Sequence, residues 1–239
     1  MFGKIKRAAV SMLLFMSIAI IPSITGECHD LPESSYTQIA GTMMKVSSGI
    51  SDQAKTDSLI AWTSLPFNIQ SILIQNNIWI YELNPNNDQL ALSDYYTGQS
   101  HDAISVFPSY NLRTYSDGRQ EISQTSSGYI DIFSNNASKR GECTLTILHE
   151  IGHQVDCLYL GGYTNTRSWA SASDQSAWQY AYAKEKINLS LLDKDSSVNT
   201  YDSSESFAEA FGMYFYNNAR LKAKCPAMYA YVQTVVGSF

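Results

Sequence analysis

Two histidines and a glutamate lie close together in this sequence, at His149, Glu150 and His153, in the order H-E-x-x-H. On a helix, residues four apart project from the same face, so both imidazoles can bind one metal ion. The glutamate lies about 100° further round the helix, beside the metal, where its carboxylate can take a proton from a water molecule. Imidazole ligands with one open coordination position are typical of catalytic Zn²⁺, so the motif predicts a zinc site.

A catalytic zinc ion needs a third protein ligand, and the downstream sequence offers one. The metzincin pattern requires a histidine at position 159, which is Tyr159 here, so that class is excluded. Glu205 and Glu209 lie four apart in E-S-F-A-E-A-F and share one helix face. One of these glutamates can bind zinc while the other holds the second nitrogen of a ligand histidine. Phe207 and Phe211 point to the neighbouring side and anchor that helix in the core.

The two motifs together resemble the catalytic domain of the anthrax lethal factor-type metallopeptidases. The resemblance rests on HEIGHQVD at residues 149–156, followed some fifty residues later by E-x-F-A-E-x-F from Glu205. Chain length and N-terminal segment are most similar to the small secreted Pro-Pro endopeptidases of that group. The resemblance implies a zincin-like fold in which His149, His153 and Glu205 bind Zn²⁺. It also implies that Glu150 is the general base and that Glu209 supports a ligand histidine from behind.

The sequence departs from this family at the residue that stabilises the oxyanion. The family usually carries a tyrosine seven residues before the ligand glutamate, and Val198 occupies that position here. Tyr201, four residues before Glu205, is the nearest substitute, and a tyrosine hydroxyl can donate a hydrogen bond to an oxyanion. We therefore predict Tyr201 as the second catalytic residue beside Glu150.

Hydrophobic patterns predict the elements in front of the motif helix. Residues 34–62 and 65–75 are predicted to be helical, and 78–83 and 128–133 to be strands. Between them, residues 84–127 predict hairpins or loops around a short strand near 104–107. In zinc peptidases of this architecture the strand before the motif helix is the sheet edge, where an extended substrate can add. A plain interior strand fits residues 128–133 equally well.

The second half of the chain predicts helices. The motif helix spans about 142–159, because Leu148, Ile151, Val155 and Leu158 repeat at three- and four-residue spacing. Ser173 is predicted to cap a helix that continues to about residue 187. A last pair of helices is predicted at about 203–220 and 226–236. The first of these helices begins with a capping box between Asp202 and Glu205. The fold class is therefore α+β, with a small mixed sheet N-terminal to the motif helix and a mostly helical C-terminal lobe.

The first 26 residues have the pattern of a secretory signal peptide. Lys4, Lys6 and Arg7 precede an apolar run of about 14 residues. A membrane-spanning helix needs about 20 apolar residues, so we expect no stable membrane insertion after signal removal. The mature chain is then one secreted, extracellular domain of residues 27–239, with lobes at about 27–140 and 141–239, which we expect to be a monomer. A lipid-modified Cys28 is the alternative.

The charge balance indicates what kind of partner the chain binds. The formal net charge is −6, and only 16% of residues are charged. No basic cluster offsets this, which argues against a nucleic-acid partner. We expect an extended peptide or protein substrate instead.

An exported chain with four cysteines predicts disulfide bonds. Cys143 and Cys157 lie 14 residues apart on one helix, about 21 Å, and cannot bond to each other. The two remaining schemes join Cys28 and Cys225 to the two ends of the motif helix. We favour Cys157 with Cys225, and free or partly paired thiols are the alternative.

The function predicted from these residues is a secreted zinc endopeptidase that cleaves extracellular proteins, with Pro-Pro bonds as the substrate suggested by the resemblance. Two other hypotheses remain. One is a catalytically silent secreted binding, adhesion or toxin-like module that keeps the zinc fold, which Val198 favours and Glu150 opposes. The other is a zinc enzyme acting on a non-peptide bond.

Overall fold

A computed structural model describes residues 35–84, 103–107, 109–116, 118–126, 128–133, 143–159, 171–192 and 202–239. Among these residues it has seven strands: β1 Tyr36–Gln38, β2 Met44–Ser47, β3 Trp79–Leu83, β4 Ala103–Val106, β5 Ser109–Thr114, β6 Gln120–Ser126 and β7 Tyr129–Phe133. Its α-helices are α1 Asp52–Ser64, α2 Phe67–Gln75, α3 Cys143–Leu158, α4 Ser176–Ser190, α5 Ser203–Tyr216, α6 Asn218–Lys224 and α7 Pro226–Val236, with a 3₁₀ turn at Ala172–Asp174.

Five strands form one mixed sheet in the order β1-β2-β3-β7-β4. β2, β3 and β7 run parallel, whereas β1 and β4 pair antiparallel at the two ends. β5 and β6 form a separate antiparallel hairpin. The predicted α+β class is confirmed, with a small mixed sheet before the motif helix and helices after it.

Alternation along the central strands assigns their two faces. Ile80, Ile130 and Ile132 are fully buried on the face that joins the main core, together with Ile69 and Leu73 of α2. Tyr81, Leu83 and Phe133 form a second buried cluster. Successive side chains of a strand point to opposite faces, so both faces of β3 and β7 are covered.

The predicted helix over residues 34–62 is wrong in its first half, which is a β-hairpin. Gly41 adopts φ +78° and Gly49 adopts φ +80°, a left-handed conformation that favours glycine and interrupts a helix. The Thr42 hydroxyl donates to the Ile39 carbonyl and closes the turn between β1 and β2. Helix α1 then begins after Ser51, whose side chain accepts a hydrogen bond from the Ala54 N–H.

The strand before the motif helix is interior, so the expectation that it forms the sheet edge is wrong. β7 pairs with β3 on one side and β4 on the other. The chain leaves β4, makes the β5–β6 hairpin and returns to insert β7 between its neighbours. Ile132 and Phe133 point to opposite faces and are both buried, which fits a strand covered on both faces. β4 is the edge strand on the side of the sheet where α3 packs.

The C-terminal helices differ from the prediction in number and capping. Asn217 ends α5 and caps α6 by accepting from the Arg220 N–H, so three helices replace the expected pair. Asp202 does cap α5, but the Glu205 side chain faces the motif histidines and leaves the capping box incomplete. Ser173 caps no helix, because its hydroxyl and N–H both donate to Asp156.

A buried glutamate joins α4 to α7. Glu185 is 3% exposed, and its carboxylate accepts hydrogen bonds from the backbone N–H groups of Ala227 and Met228 at 2.9–3.0 Å. The first N–H groups of a helix lack partners within that helix. Glu185 therefore caps α7 from a neighbouring helix.

The predicted Cys157–Cys225 disulfide is not formed, since both residues are buried free thiols. Burial raises the pKa of each thiol to about 12. The thiolate is the species that starts disulfide exchange, so this environment opposes oxidation. The predicted signal peptide and Cys28 lie outside the described residues. Among the helices that the structure describes, none is long and apolar enough to cross a membrane.

Candidate metal centre

Two helices build the centre. α3 carries His149, Glu150 and His153, and α5 carries Glu205 and Glu209. Each helix is fixed by an apolar face: Leu148, Ile151 and Val155 on α3, and Phe207 and Phe211 on α5, are all fully buried. The side chains that can do chemistry therefore project from helices whose opposite faces are held in the core.

Glycines allow the two helices to approach closely. A Cβ atom at Gly152 would lie 2.8 Å from the Ala208 Cα and 3.0 Å from the Ala208 carbonyl oxygen. A Cβ atom at Gly212 would lie 3.2 Å from the His149 backbone nitrogen. Carbon atoms at ordinary contact lie about 3.5–4.0 Å apart, so only glycine fits at Gly152 without a shift. Sequence reasoning missed this role, although a glycine inside each predicted helix was the available signal.

The Glu205 carboxylate reaches both histidines. Glu205 Oε2 lies 3.4 Å from His149 Nε2, and Glu205 Oε1 lies 3.6 Å from His153 Nε2. The two imidazole rings stand edge to face with centroids 4.9 Å apart. The structure thus brings Glu205 to two histidines that lie more than fifty positions before it in the sequence.

Glu209 fixes the orientation of one ring. Its Oε2 lies 3.1 Å from His149 Nδ1, and the glutamate is 2% exposed. A carboxylate accepts and cannot donate, so His149 Nδ1 carries a hydrogen, and Nε2, on the side that faces Glu205, is the nitrogen that would bind a metal. A second ring nitrogen held by a carboxylate is the usual arrangement of a metal-binding histidine.

The electrostatic field of the cluster favours positive charge. Burial by itself lowers the pKa of His149, but hydrogen bonds with Glu205 and Glu209 and the charge of Glu150 outweigh it and raise the pKa well above its ordinary value. Burial raises the pKa of Glu205, yet its hydrogen bonds with His149 and His153 outweigh this and hold the pKa well below its usual range. A cation placed among these groups is stabilised by the same carboxylates.

These donors fit a zinc ion. His149, His153 and Glu205 each offer one ligand atom, and the three atoms lie within 4.8 Å of one another. Tetrahedral zinc with bonds of about 2.0–2.1 Å places its ligands about 3.3 Å apart. The separations of 3.4 Å from His149 Nε2 and 3.6 Å from His153 Nε2, each to a different oxygen of the Glu205 carboxylate, are close to that value. Two imidazoles and one carboxylate also match a known donor set of catalytic zinc with an open position.

The roles of Glu150 and Tyr201 stay predictions. Glu150 lies on α3 and is partly buried. Tyr201, predicted as the oxyanion donor, and Val198 lie outside the described residues. Asp156 accepts two hydrogen bonds from Ser173, at 2.6 Å from its N–H and 2.7 Å from its hydroxyl. Burial raises the pKa of Asp156 to about 6, and the hydrogen bonds from Ser173 oppose that rise.

Residues 109–235 match the family described as Anthrax toxin lethal factor, N- and C-terminal domain. Among solved structures, the chain is similar to the PRO-PRO endopeptidase (PPEP-2) from Paenibacillus alvei, with 18% sequence identity and a TM-score of 0.49. That similarity covers 81% of this chain and 97% of that chain. No curated protein matches the sequence. Because the family match spans more than half of the 239 residues, the chain belongs to the anthrax toxin lethal factor family.

Proposed function

We propose that this chain is a secreted zinc-dependent endopeptidase. The observation that carries the proposal is the approach of the Glu205 carboxylate to His149 Nε2 and His153 Nε2, at 3.4 and 3.6 Å. Membership of the lethal factor family supports the broader conclusion that the chain is a metallopeptidase. The donor set of two imidazoles and one carboxylate favours zinc among the metals.

The side chains divide the work of peptide hydrolysis. His149, His153 and Glu205 would hold the metal, and Glu209 would keep the His149 ring in the tautomer that leaves Nε2 for the metal. When bound, Zn²⁺ supplies Lewis acidity, which lowers the pKa of a water molecule and polarises the scissile carbonyl. Glu150 takes a proton from the water as the water oxygen attacks the carbonyl carbon, and it passes that proton to the amine nitrogen as the C–N bond breaks. Tyr201 is proposed to donate a hydrogen bond to the oxyanion.

The edge of the sheet supports an extended peptide as substrate. β4 ends the main sheet, and on its outer side it pairs with no other described strand. An edge strand presents backbone N–H and carbonyl groups with which an extended chain can pair. α3, which carries the motif histidines, packs against β4. We propose that a peptide added along β4 lies beside the metal centre.

The finer parts of the proposal rest on the sequence. Secretion rests on the signal-peptide pattern of residues 1–26, and Pro-Pro specificity rests on the resemblance of the chain length and N-terminal segment to the small secreted Pro-Pro endopeptidases. We propose a monomer that acts on extracellular protein substrates.

Cleavage of a mixed peptide library tests the function. We expect the mature chain from about residue 27, loaded with zinc, to cut peptides, and we expect cutting to stop when a chelator is added. The Glu150→Ala variant should keep its zinc and fold and lose cleavage, because Glu150 is assigned proton transfer and not metal binding. Proline on both sides of the cut bonds would establish the proposed specificity.

A folded, zinc-loaded chain that cuts nothing in the library would contradict the proposal. It would favour the silent binding module, for which Val198 is the supporting residue. Retention of cleavage by Glu150→Ala would exclude the assigned general base.

A further inference from the structure

Glu205 lies in the first turn of α5, where the fewest hydrogen bonds within the helix fix the backbone. It is the third residue of the helix, two positions after Ser203, and its side chain is 39% exposed. The first-turn N–H groups of a helix have no partners within that helix, and helix ends fray. A zinc ligand, however, must be placed to within about 0.2 Å. The Asp202 side chain caps the N–H of Ser204, and the position of the turn depends in addition on contacts from outside the helix.

Ser203 is held by two neighbouring residues of α4. The buried Trp178 donates from its indole nitrogen to the Ser203 hydroxyl at 3.0 Å and to the Ser203 carbonyl at 3.1 Å. Gln179 donates from Nε2 to the same hydroxyl at 2.7 Å. The hydroxyl itself donates to the Ser173 carbonyl at 3.3 Å. It thus uses both acceptor positions and its one donor, which is its full capacity.

The same bonds lead back to the motif helix. Gln179 Nε2 also donates to the Ser173 carbonyl at 2.6 Å. Ser173 in turn donates from its N–H and its hydroxyl to the two carboxylate oxygens of Asp156, at 2.6 and 2.7 Å. Asp156 belongs to α3 and lies three residues after His153. An unbroken path of hydrogen bonds therefore runs from the helix of the histidines to the first turn of the helix of Glu205.

We infer that Asp156, Ser173, Gln179 and Ser203 form a brace that positions Glu205 for the metal. The inference rests on the proposed function, because it takes Glu205 as the third ligand. The four are positioning residues, since none of them is among the residues assigned to the metal or the proton. The close contact between Gly152 and Ala208 sets the distance between α3 and α5. The brace sets the position of the first turn of α5.

We expect loss of the brace to weaken metal binding more than it lowers the stability of the fold. Gln179 is exposed at the surface, so removing its hydrogen bonds leaves most of the core unchanged. The first turn of α5 would then sample positions in which Glu205 is out of reach of the histidines. Residues that orient metal ligands typically change metal affinity by about 10–100-fold.

Gln179→Met tests the brace with a matched control. Methionine keeps the length and neutrality of glutamine but cannot donate, so both bonds from Nε2 are lost. The control is Gln70→Met, because Gln70 Nε2 also donates two hydrogen bonds, to the Trp62 and Leu65 carbonyls at 3.0 Å each, in the N-terminal lobe. Zinc affinity is measured by competition with a chelator, and the melting temperature is measured on the metal-free proteins.

We expect Gln179→Met to bind zinc about tenfold more weakly or worse, and Gln70→Met to stay within about twofold of the wild type. Ser203→Ala should match Gln179→Met, and Ser203→Thr, which keeps the hydroxyl, should restore the affinity. The double variant Ser203→Ala/Gln179→Met should lose little more than either single variant, because both act through one network.

Wild-type zinc affinity in both Gln179→Met and Ser203→Ala would overturn the brace, as would an equal loss in Gln70→Met. A wild-type chain that binds zinc but cuts no peptide would refute the endopeptidase function. The zinc affinities of the variants would still test the brace. A wild-type chain that binds no zinc would overturn both.

Discussion

Replacement of Gly152 by alanine should separate the two helices of the metal centre. The new Cβ atom would lie 2.8 Å from the Ala208 Cα, 3.0 Å from the Ala208 oxygen and 3.1 Å from the Phe211 Cβ. Two of these three atoms are backbone, and the third is the first atom of a fully buried side chain, so rotation of a side chain cannot relieve the overlap. The helices must move apart.

The displacement follows from contact distances. Ordinary carbon contacts of about 3.5–4.0 Å require α5 to retreat by about 0.7–1.2 Å at Ala208. Glu205 lies three residues before Ala208, on the adjacent turn, and moves with it. Zinc ligands tolerate about 0.2 Å, so a shift of this size should weaken zinc binding by about tenfold or more.

The effect on stability is smaller than the overlap alone suggests. Overpacking costs about 1–3 kcal/mol, while alanine in a helix interior is favoured over glycine by about 0.5–1 kcal/mol. A net loss of about 1–2 kcal/mol should lower the melting temperature of the metal-free protein by a few degrees, since about 1 kcal/mol corresponds to about 2–4 °C in a domain of this size.

Calorimetry of the metal-free variant and chelator competition for zinc measure the two effects. Gly237→Ala is the matched control, since its Cβ would meet only the Gln233 and Thr234 carbonyl oxygens, at 3.3 and 3.7 Å, far from the centre in sequence. Gly212→Ala should have an intermediate effect, because its nearest neighbour is the movable tip of Leu145. Wild-type zinc affinity and melting temperature in Gly152→Ala would refute the reasoning.

Three other predictions concern buried groups. Glu209→Gln should weaken zinc binding about tenfold without changing the fold, because the neutral amide holds the motif histidine less firmly; unchanged affinity in the competition assay would exclude this role. Glu185→Gln should lower the free energy of unfolding by about 1–3 kcal/mol, since charge-assisted bonds to the first N–H groups of α7 are lost, and leave zinc content unchanged; denaturant titration and metal analysis measure the two. Cys157 and Cys225 should resist alkylation in the native protein, and both should react with the alkylating reagent once the protein is unfolded, with no reductant added. If they do not react in the unfolded protein, they are joined in a disulfide.

The residues of the centre could be predicted because their signal is local. H-E-x-x-H and E-x-F-A-E each place their side chains on one face of a single helix, and apolar residues on the opposite face orient each helix. Choosing Glu205 and not Glu209 as the zinc ligand needed the family resemblance in addition, because both glutamates lie on one face of the same helix.

The sequence predictions that are wrong concern features that contacts between distant parts of the chain determine. Residues 128–133 have the alternation of any half-buried strand, and only the return of the chain through the β5–β6 hairpin places β7 in the interior. Ser173 is a good helix cap by type, but Asp156 from another helix takes both of its donors. The left-handed turns at Gly41 and Gly49 interrupt a stretch whose composition also suits a helix.

The most direct test of the metal centre is a crystal structure with anomalous diffraction recorded at the zinc absorption edge. We expect a single strong peak about 2.0–2.2 Å from His149 Nε2, His153 Nε2 and a Glu205 carboxylate oxygen, with the Glu209 carboxylate hydrogen-bonded to His149 Nδ1. A peak held by other residues, or one from which the Glu205 carboxylate is turned away, would contradict the assignment of the third ligand.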